Sequence, residues 1–344
     1  MPAVKISVVV PVFNTQAYLP ATLDALDKQS FRDFEVILID DGSTDESPRI
    51  LDDYCKGHER FRVIHTPNAG VYKSRMTGIR QAKGQYIAFC DSDDLYFPDM
   101  LEKLYKKAEK TGADITFCGV LFEDADAGIT EPRPTMSFEY KTHDRPEMWD
   151  IMPMVNPCVW NKLYRADLLR HAIKLENPPR IAEDLLFNCS LFPFLHRIAF
   201  VPDLLYRYRM HAGSAVSRVH AADMDGVREN LLLTREYVLR FEDGPEMREM
   251  LDSLTFYQIG FVLVNFQIKS GERIRETVAS ARRWLDLYAP GYRKAGRTLL
   301  WNWRHDWVQL RILIPRWVFC AHLMSPCLAF FLFLSEKCGI KVKW

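Results

Sequence analysis

Three carboxylates, Asp91, Asp93 and Asp94, fall within four residues directly after the apolar run "YIAFC". Two carboxylates one residue apart on a tight loop can offer oxygens to one hard divalent cation, which leaves places for water and phosphate. Without a cation such a group repels itself, and one member's pKa rises. Asp91, Ser92 or Asp93 could instead cap a following helix, but a cap accounts for only one of them. A second acidic pair, Asp40 and Asp41, opens "DDGSTD" at the end of the apolar run "FEVILI". There it asks for donors, and a nucleobase edge with N–H groups would serve, while Ser43 or Thr44 is placed to cap the next helix. A third pair, Glu183 and Asp184, precedes "LLF". Two acids also suit the first turn of a helix through its dipole.

Short apolar runs position these groups. "VKISVVVPVF", "FEVILID", "FRVIH" and "GQYIAFC" have strand length, and each is followed by a polar turn and a helical pattern such as Leu19, Leu23 and Leu26. Alternating strands and helices predict an α/β fold with a mostly parallel sheet covered on both faces. In such sheets ligands bind beyond the carboxyl ends of the strands, where "PVFN", "DDGSTD" and "DSDD" all lie. Pro98 is placed for the first turn of a helix with Leu101, Leu104, Tyr105 and Ala108 on one face. Neither G-x-G-x-x-G after the first strand nor G-x-x-x-x-G-K-[ST] occurs, which disfavours dinucleotide and P-loop sites. After about His220 the pattern turns helical, with Met224, Val227, Leu231, Val238 and Phe241 on one face.

The 344 residues allow a substantial core. The eight cysteines are scattered without metal-ligand spacing and read as small core hydrophobes of a reducing compartment. The N-terminus makes a poor signal peptide, so the front of the chain is expected in the cytosol.

Taken together, "ISVVVPVFN", "VILIDDGSTDES", "NAGVYKSRMTGIRQAKGQYIAFCDSDD" and "AEDLLF" resemble the family 2 inverting glycosyltransferases over about residues 4–215, in the right order. The resemblance implies the GT-A fold in residues 1–218, with a nucleotide-sugar half to about 120 and an acceptor half from about 121. It implies that Pro11, Val12, Phe13, Asn14 and Asp41 hold the base and ribose of a nucleotide sugar, usually UDP-linked, with Asp40 supporting. Arg75 would lie near the nucleotide, with Asn68 and Gly70 shaping its turn. The D-x-D motif falls on Asp91 and Asp93, around Ser92; Asp93 would ligate Mg²⁺ or Mn²⁺ directly and Asp91 lie nearer the ribose. Asp184 would be the catalytic base beside Glu183. Trp160, Asn161 and Lys162 of "VWNKLYR" are implied as acceptor or supporting residues, and His211 as a metal or diphosphate contact. Asp94 is expected to support the loop or cap the helix.

Residues 219–344 are expected to form a helical C-terminal extension. Arg293 to Trp344 holds nine Lys or Arg against two acids, and Trp317 to Leu334 carries no formal charge. A straight helix of that length would reach about 27 Å, short of a roughly 30 Å hydrocarbon core. Pro326, five tryptophans and the flanking bases suit an interfacial anchor over about 301–344 on the cytoplasmic leaflet, with packing on protein as the other reading. The expected partners are a nucleotide-sugar donor, a glycan or lipid-linked acceptor and that membrane surface. Nucleic acid is not expected, and a homo-oligomer stays open. A non-catalytic nucleotide-sugar scaffold would have lost Asp93 or Asp184, and a sugar nucleotidyltransferase would need a basic, Gly-rich loop in place of "PVFNTQAYLP". A two-carboxylate glycoside hydrolase needs no nucleotide site.

Overall fold

The computed structural model describes residues 4–124, 128–133, 142–145, 147–150, 152, 157–172, 174–176, 182–211, 224–264, 267 and 272–294. They divide into two units. The first takes in Met1–Arg145 and Pro157–Arg218, the second Pro146–Asn156 and Val219–Trp344.

The first unit is one sheet, with helices following its strands. In it β3 (Phe61–His65), β2 (Phe34–Asp40), β1 (Ile6–Val12) and β4 (Tyr86–Phe89) run side by side and parallel. The order continues through β9 (Lys162–Arg165), β6 (Ile115–Asp124) and β10 (Arg197–Met210) to the two-residue β5 (Leu95–Tyr96). β7 (Ile129–Arg133) pairs with β6, and β8 (Thr142–Asp144) with β10. β9 lies antiparallel between β4 and β6, so the two halves expected from the sequence share one continuous sheet.

The centre of the sheet is buried on both faces. Every residue of β1 and β2 is buried, which is why these strands read as mostly apolar runs, with Ser7, Glu35 and Asp40 as the polar exceptions. Pro11 is tolerated inside β1 because its missing N–H faces the β4 side, where pairing has ended at Val9 and Phe89. Helices α1 (Leu19–Asp27), α2 (Ser47–Gly57), α3 (Val71–Gln81) and α4 (Met100–Thr111) follow β1, β2, β3 and β5. Leu19, Leu23, Leu26, Leu51, Leu101 and Leu104 seat α1, α2 and α4 in the core.

Two helix starts differ from expectation. α4 begins at Met100, with β5 inserted before it, so Pro98 precedes the helix. None of Asp91, Ser92 and Asp93 caps it: the capping position is Asp99, which makes no side-chain cap bond. Likewise α2 is preceded by Glu46, and Ser43 and Thr44 do not cap it.

The second unit holds α6 (Met224–Phe241), α7 (Pro245–Tyr257), a π-helical turn at Gln258–Leu263 and α8 (Ile274–Tyr288). Val227, Leu231 and Val238 are buried as their spacing predicts, but Phe241 is 55% exposed where the chain leaves α6 for α7. Arg235 and Asp252 tie these two helices at 2.7 Å. No helix among the described residues is long and apolar enough to cross a membrane. The expected anchor at 301–344 lies outside the described residues.

Candidate functional site

Three loops at the carboxyl ends of β1, β2 and β3 are locked together. Asn14, in the left-handed region at φ 52°, accepts from Thr44 N at 2.8 Å through Oδ1 and donates its own N–H to Ser43 Oγ at 3.1 Å. Asp40 Oδ1 accepts from Ser43 N at 3.0 Å. Asp41 takes the amides of Ala69 and Gly70, one on each oxygen at 2.8 Å. Gly42, at φ 70°, lies so close to the Asn68 backbone that a Cβ there would stand 2.7 Å from Asn68 N. Asp40 and Asp41 are both buried, and these bonds hold them so. Phe13, next to the clasp, keeps 47% of its surface exposed. A cavity of about 440 Å³ opens beside Asp41, Asn68, Tyr72 and Lys73.

A second cluster forms around Arg75, which α3 carries into the interior. Its guanidinium pairs with Asp184, reaches Asp91 Oδ1 at 3.1 Å and stands 3.5 Å from Glu183 Oε1. Burial works against the Arg75 charge, but Asp184, Asp91 and Glu183 outweigh it and hold its pKa above the ordinary value. Its Nε is buried without a hydrogen-bond partner. Burial, partly offset by Arg75, pushes Asp91 up to about 6. Burial and then the Asp184 charge push Glu183 up to about 7. Glu183 and Asp184 start helix α5 (Glu183–Ser190) after Ala182 in the left-handed region at φ 58°. The carbonyl of Asp184 accepts from Asn188 Nδ2 at 2.9 Å one turn on, and Asn188 in turn accepts from the Tyr164 hydroxyl at 2.7 Å.

A third group surrounds the acidic loop after β4. Asp93 Oδ2 lies 3.0 Å from His211 Nε2, and the His211 ring stacks on Tyr18 at 4.2 Å. Asp94 turns inward, accepting from the Tyr206 hydroxyl at 2.7 Å and from Arg209 N at 2.8 Å. It supports the loop, and burial with the Asp91 and Asp93 charges raises its pKa well above the usual range. The Arg209 guanidinium binds the Asp93 carbonyl and lies over the Tyr18 ring. Ser92 Oγ accepts from Thr15 Oγ1 at 3.0 Å.

The structure thus brings Asp91, Glu183 and Asp184 together on Arg75, and Asp93 with His211. Among the described residues no three His, Cys, Asp or Glu side chains gather as a metal-ligand group. Asp93 and His211 supply one carboxylate oxygen and one imidazole nitrogen, a set that fits a cation completing its shell with diphosphate oxygens and water.

Trp160, Asn161 and Lys162 are all buried. Trp160 stacks on Tyr206 at 4.3 Å, as a core side chain beneath the acidic loop. Asn161 Nδ2 donates to the Cys118 carbonyl at 3.0 Å, and Lys162 Nζ donates to Asn161 Oδ1 at 2.8 Å and to the Cys158 carbonyl. Burial lowers the Lys162 pKa. All three are held in place by these stacking and hydrogen-bond contacts. Sequence reasoning passed over Tyr18, Tyr206 and Arg209. The alternation in "YRYRMH" at a strand end was the available signal for the last two.

The Glycosyl transferase family 2 model matches residues 7–172. EpsJ of Bacillus subtilis, an uncharacterized glycosyltransferase, is 33% identical over 226 residues, 64% of this chain and 65% of that protein. EpsH of the same organism, a putative glycosyltransferase, is 34% identical over 274 residues, 78% of this chain and 79% of that protein. Among solved structures, S. aureus TarS 1–349 in complex with UDP-GlcNAc superposes with a TM-score of 0.68 at 20% identity, over 92% of this chain and 88% of that one. At that identity the likeness speaks for the fold, which is the mostly parallel α/β arrangement described above. With the family model and the EpsH match, the chain belongs to glycosyltransferase family 2, a family of sugar-transferring enzymes.

Proposed function

We propose that this chain is an inverting, metal-dependent glycosyltransferase that moves a sugar from a UDP-linked donor to a hydroxyl of a glycan or lipid-linked acceptor in surface polysaccharide synthesis. The observation that carries the reading is the Arg75 cluster, which joins Asp184 on α5 to Asp91 on the acidic loop. A base and the loop that receives a leaving diphosphate must lie close, since attack and departure occur on opposite faces of one anomeric carbon.

In this reading Asp184 accepts the proton of the acceptor hydroxyl as it attacks. Arg75 aims that carboxylate, and Asn188 ties down the backbone beneath it. The nucleoside diphosphate departs toward the acidic loop. Asp93 and His211 would hold Mg²⁺ or Mn²⁺, which when bound neutralises charge growing on the leaving oxygens. Phe13 offers an exposed ring face to the base. Each Asp41 oxygen accepts one amide and retains a lone pair for the N–H of a uracil. The C-terminal segment would hold the enzyme at the cytoplasmic face of the membrane, beside a lipid-linked acceptor.

A panel of nucleotide sugars assayed for nucleoside diphosphate release tests this, with Mg²⁺, Mn²⁺ or EDTA and with Asp184→Asn. UDP donors should turn over, EDTA should stop transfer, and Asp184→Asn should lose about 10²–10⁴-fold in kcat while still binding UDP. EDTA-insensitive transfer would remove the metal, and an active Asp184→Asn would remove the base.

A further inference from the structure

His65, the last residue of β3, joins two carboxylates from two elements. Its Nδ1 lies 2.8 Å from Asp40 Oδ2 and its Nε2 lies 3.2 Å from Asp52 Oδ1 on α2. Asp40 is buried, and its other oxygen shapes the turn at Ser43, whose hydroxyl accepts the Asn14 amide. Asp52, His65, Asp40, Ser43 and Asn14 therefore form one hydrogen-bonded path, from the surface of α2 to the loop that presents Phe13.

An imidazole can donate from both nitrogens only when protonated; in its neutral form one of the two carboxylates loses its donor. We propose that His65 is a positioning residue for the donor loops, its doubly donated bridge fixing the Asp40 turn that sets Asn14. The proposal rests on the reading that Phe13, Asn14 and Asp41 face the nucleotide. Asp40 and Asp52 are the titratable groups that β2 and α2 turn toward the ring. Arg62 on its own strand pairs with Glu35, while Arg49 and Lys56 on α2 pair with Glu46 and Asp53. Asp41 is engaged by Ala69 and Gly70.

The hydrogen bond to Asp40 is the first cause of a pKa raised above the ordinary 6.5, with Asp52 adding to it. For a cation with a raised folded-state pKa, the contribution is complete below the ordinary value and is lost as pH rises through the raised one. Donor-loop order should therefore fade on the alkaline side of the usual histidine range.

The test is an NMR titration of the full chain between about pH 5.5 and 9, with UDP binding measured across the same range. In the wild type the Asn14 and Ser43 amide signals should titrate together with the His65 ring. UDP affinity should weaken about fivefold across that step, the size expected for the net worth of one hydrogen bond. Asp52→Asn should lower the His65 titration point and carry the two amides with it. His65→Gln should abolish the amide titration and bind UDP about fivefold more weakly at pH 6, with a flatter pH slope. Amides that ignore His65, or a His65→Gln protein with wild-type affinity and slope, would overturn the proposal. A wild type that does not bind UDP sinks the donor reading alone, because the amide titration still decides on His65.

Discussion

One guanidinium, Arg75, faces three carboxylates, so the cluster is two positive charges short of balance when all are ionised. Glu183 absorbs part of the imbalance, since burial and the neighbouring Asp184 charge push its carboxyl up to about 7. An acid with a raised folded-state pKa stabilises the fold while protonated, and that stability is lost as pH rises through the raised value. The protein without ligand should therefore lose on the order of 2 kcal/mol between about pH 5 and pH 8 from this group, a loss that Glu183→Gln removes. Urea unfolding of both proteins across that range checks it: parallel pH slopes would show that Glu183 does not titrate there. Little of this cluster was legible in the sequence. Each acid was found by its local setting, but Arg75 and Asp184 are 109 positions apart, and only the folded sheet sets them side by side. The same holds for Asp93 and His211, 118 positions apart, and for the His65 bridge, which joins three separate elements.

At the scale of elements, α3 is what carries Arg75 and the 68–70 turn together. It lies against β1 at Gly78, where an added Cβ would come within 2.2 Å of Val9 Cγ1. Val9 is fully buried and cannot give way, so Gly78→Ala should cost about 1–3 kcal/mol by overpacking. Calorimetry should show the melting temperature falling by several degrees, and a change within about half a degree would mean that helix and strand separate easily. The strands themselves were readable because a run such as "ISVVVPV", buried on both faces, has no polar alternation to confuse it. Helix starts were not, since Pro98 and Ser43 signal a boundary in general terms while β5 and the Asn14 clasp use those stretches for other contacts.

For the whole molecule, charge is unevenly shared: the formal net charge is zero, yet the last 52 residues or so are strongly basic. If that end seats the enzyme on an anionic leaflet, the full chain should pellet with membranes in detergent-free fractionation and a chain ending near residue 300 should stay in the supernatant. A full chain found wholly in the supernatant would sink the anchor. In the first unit, the 14-residue β10 runs beside β6 and reaches Tyr206, Arg209 and, just past its end, His211. Its pairing slips twice, between Val201 and Leu204 and again between Leu204 and Tyr206. Those slips act as a phase adjustment, letting the first half of the strand alternate for the core and the second half alternate for the acidic loop. Substitutions at Pro202 and Asp203, which lie outside the core, should then be tolerated where a one-residue deletion is not. A deletion would turn Tyr206 and Arg209 to the opposite faces of the sheet and leave Asp94 buried without its donors.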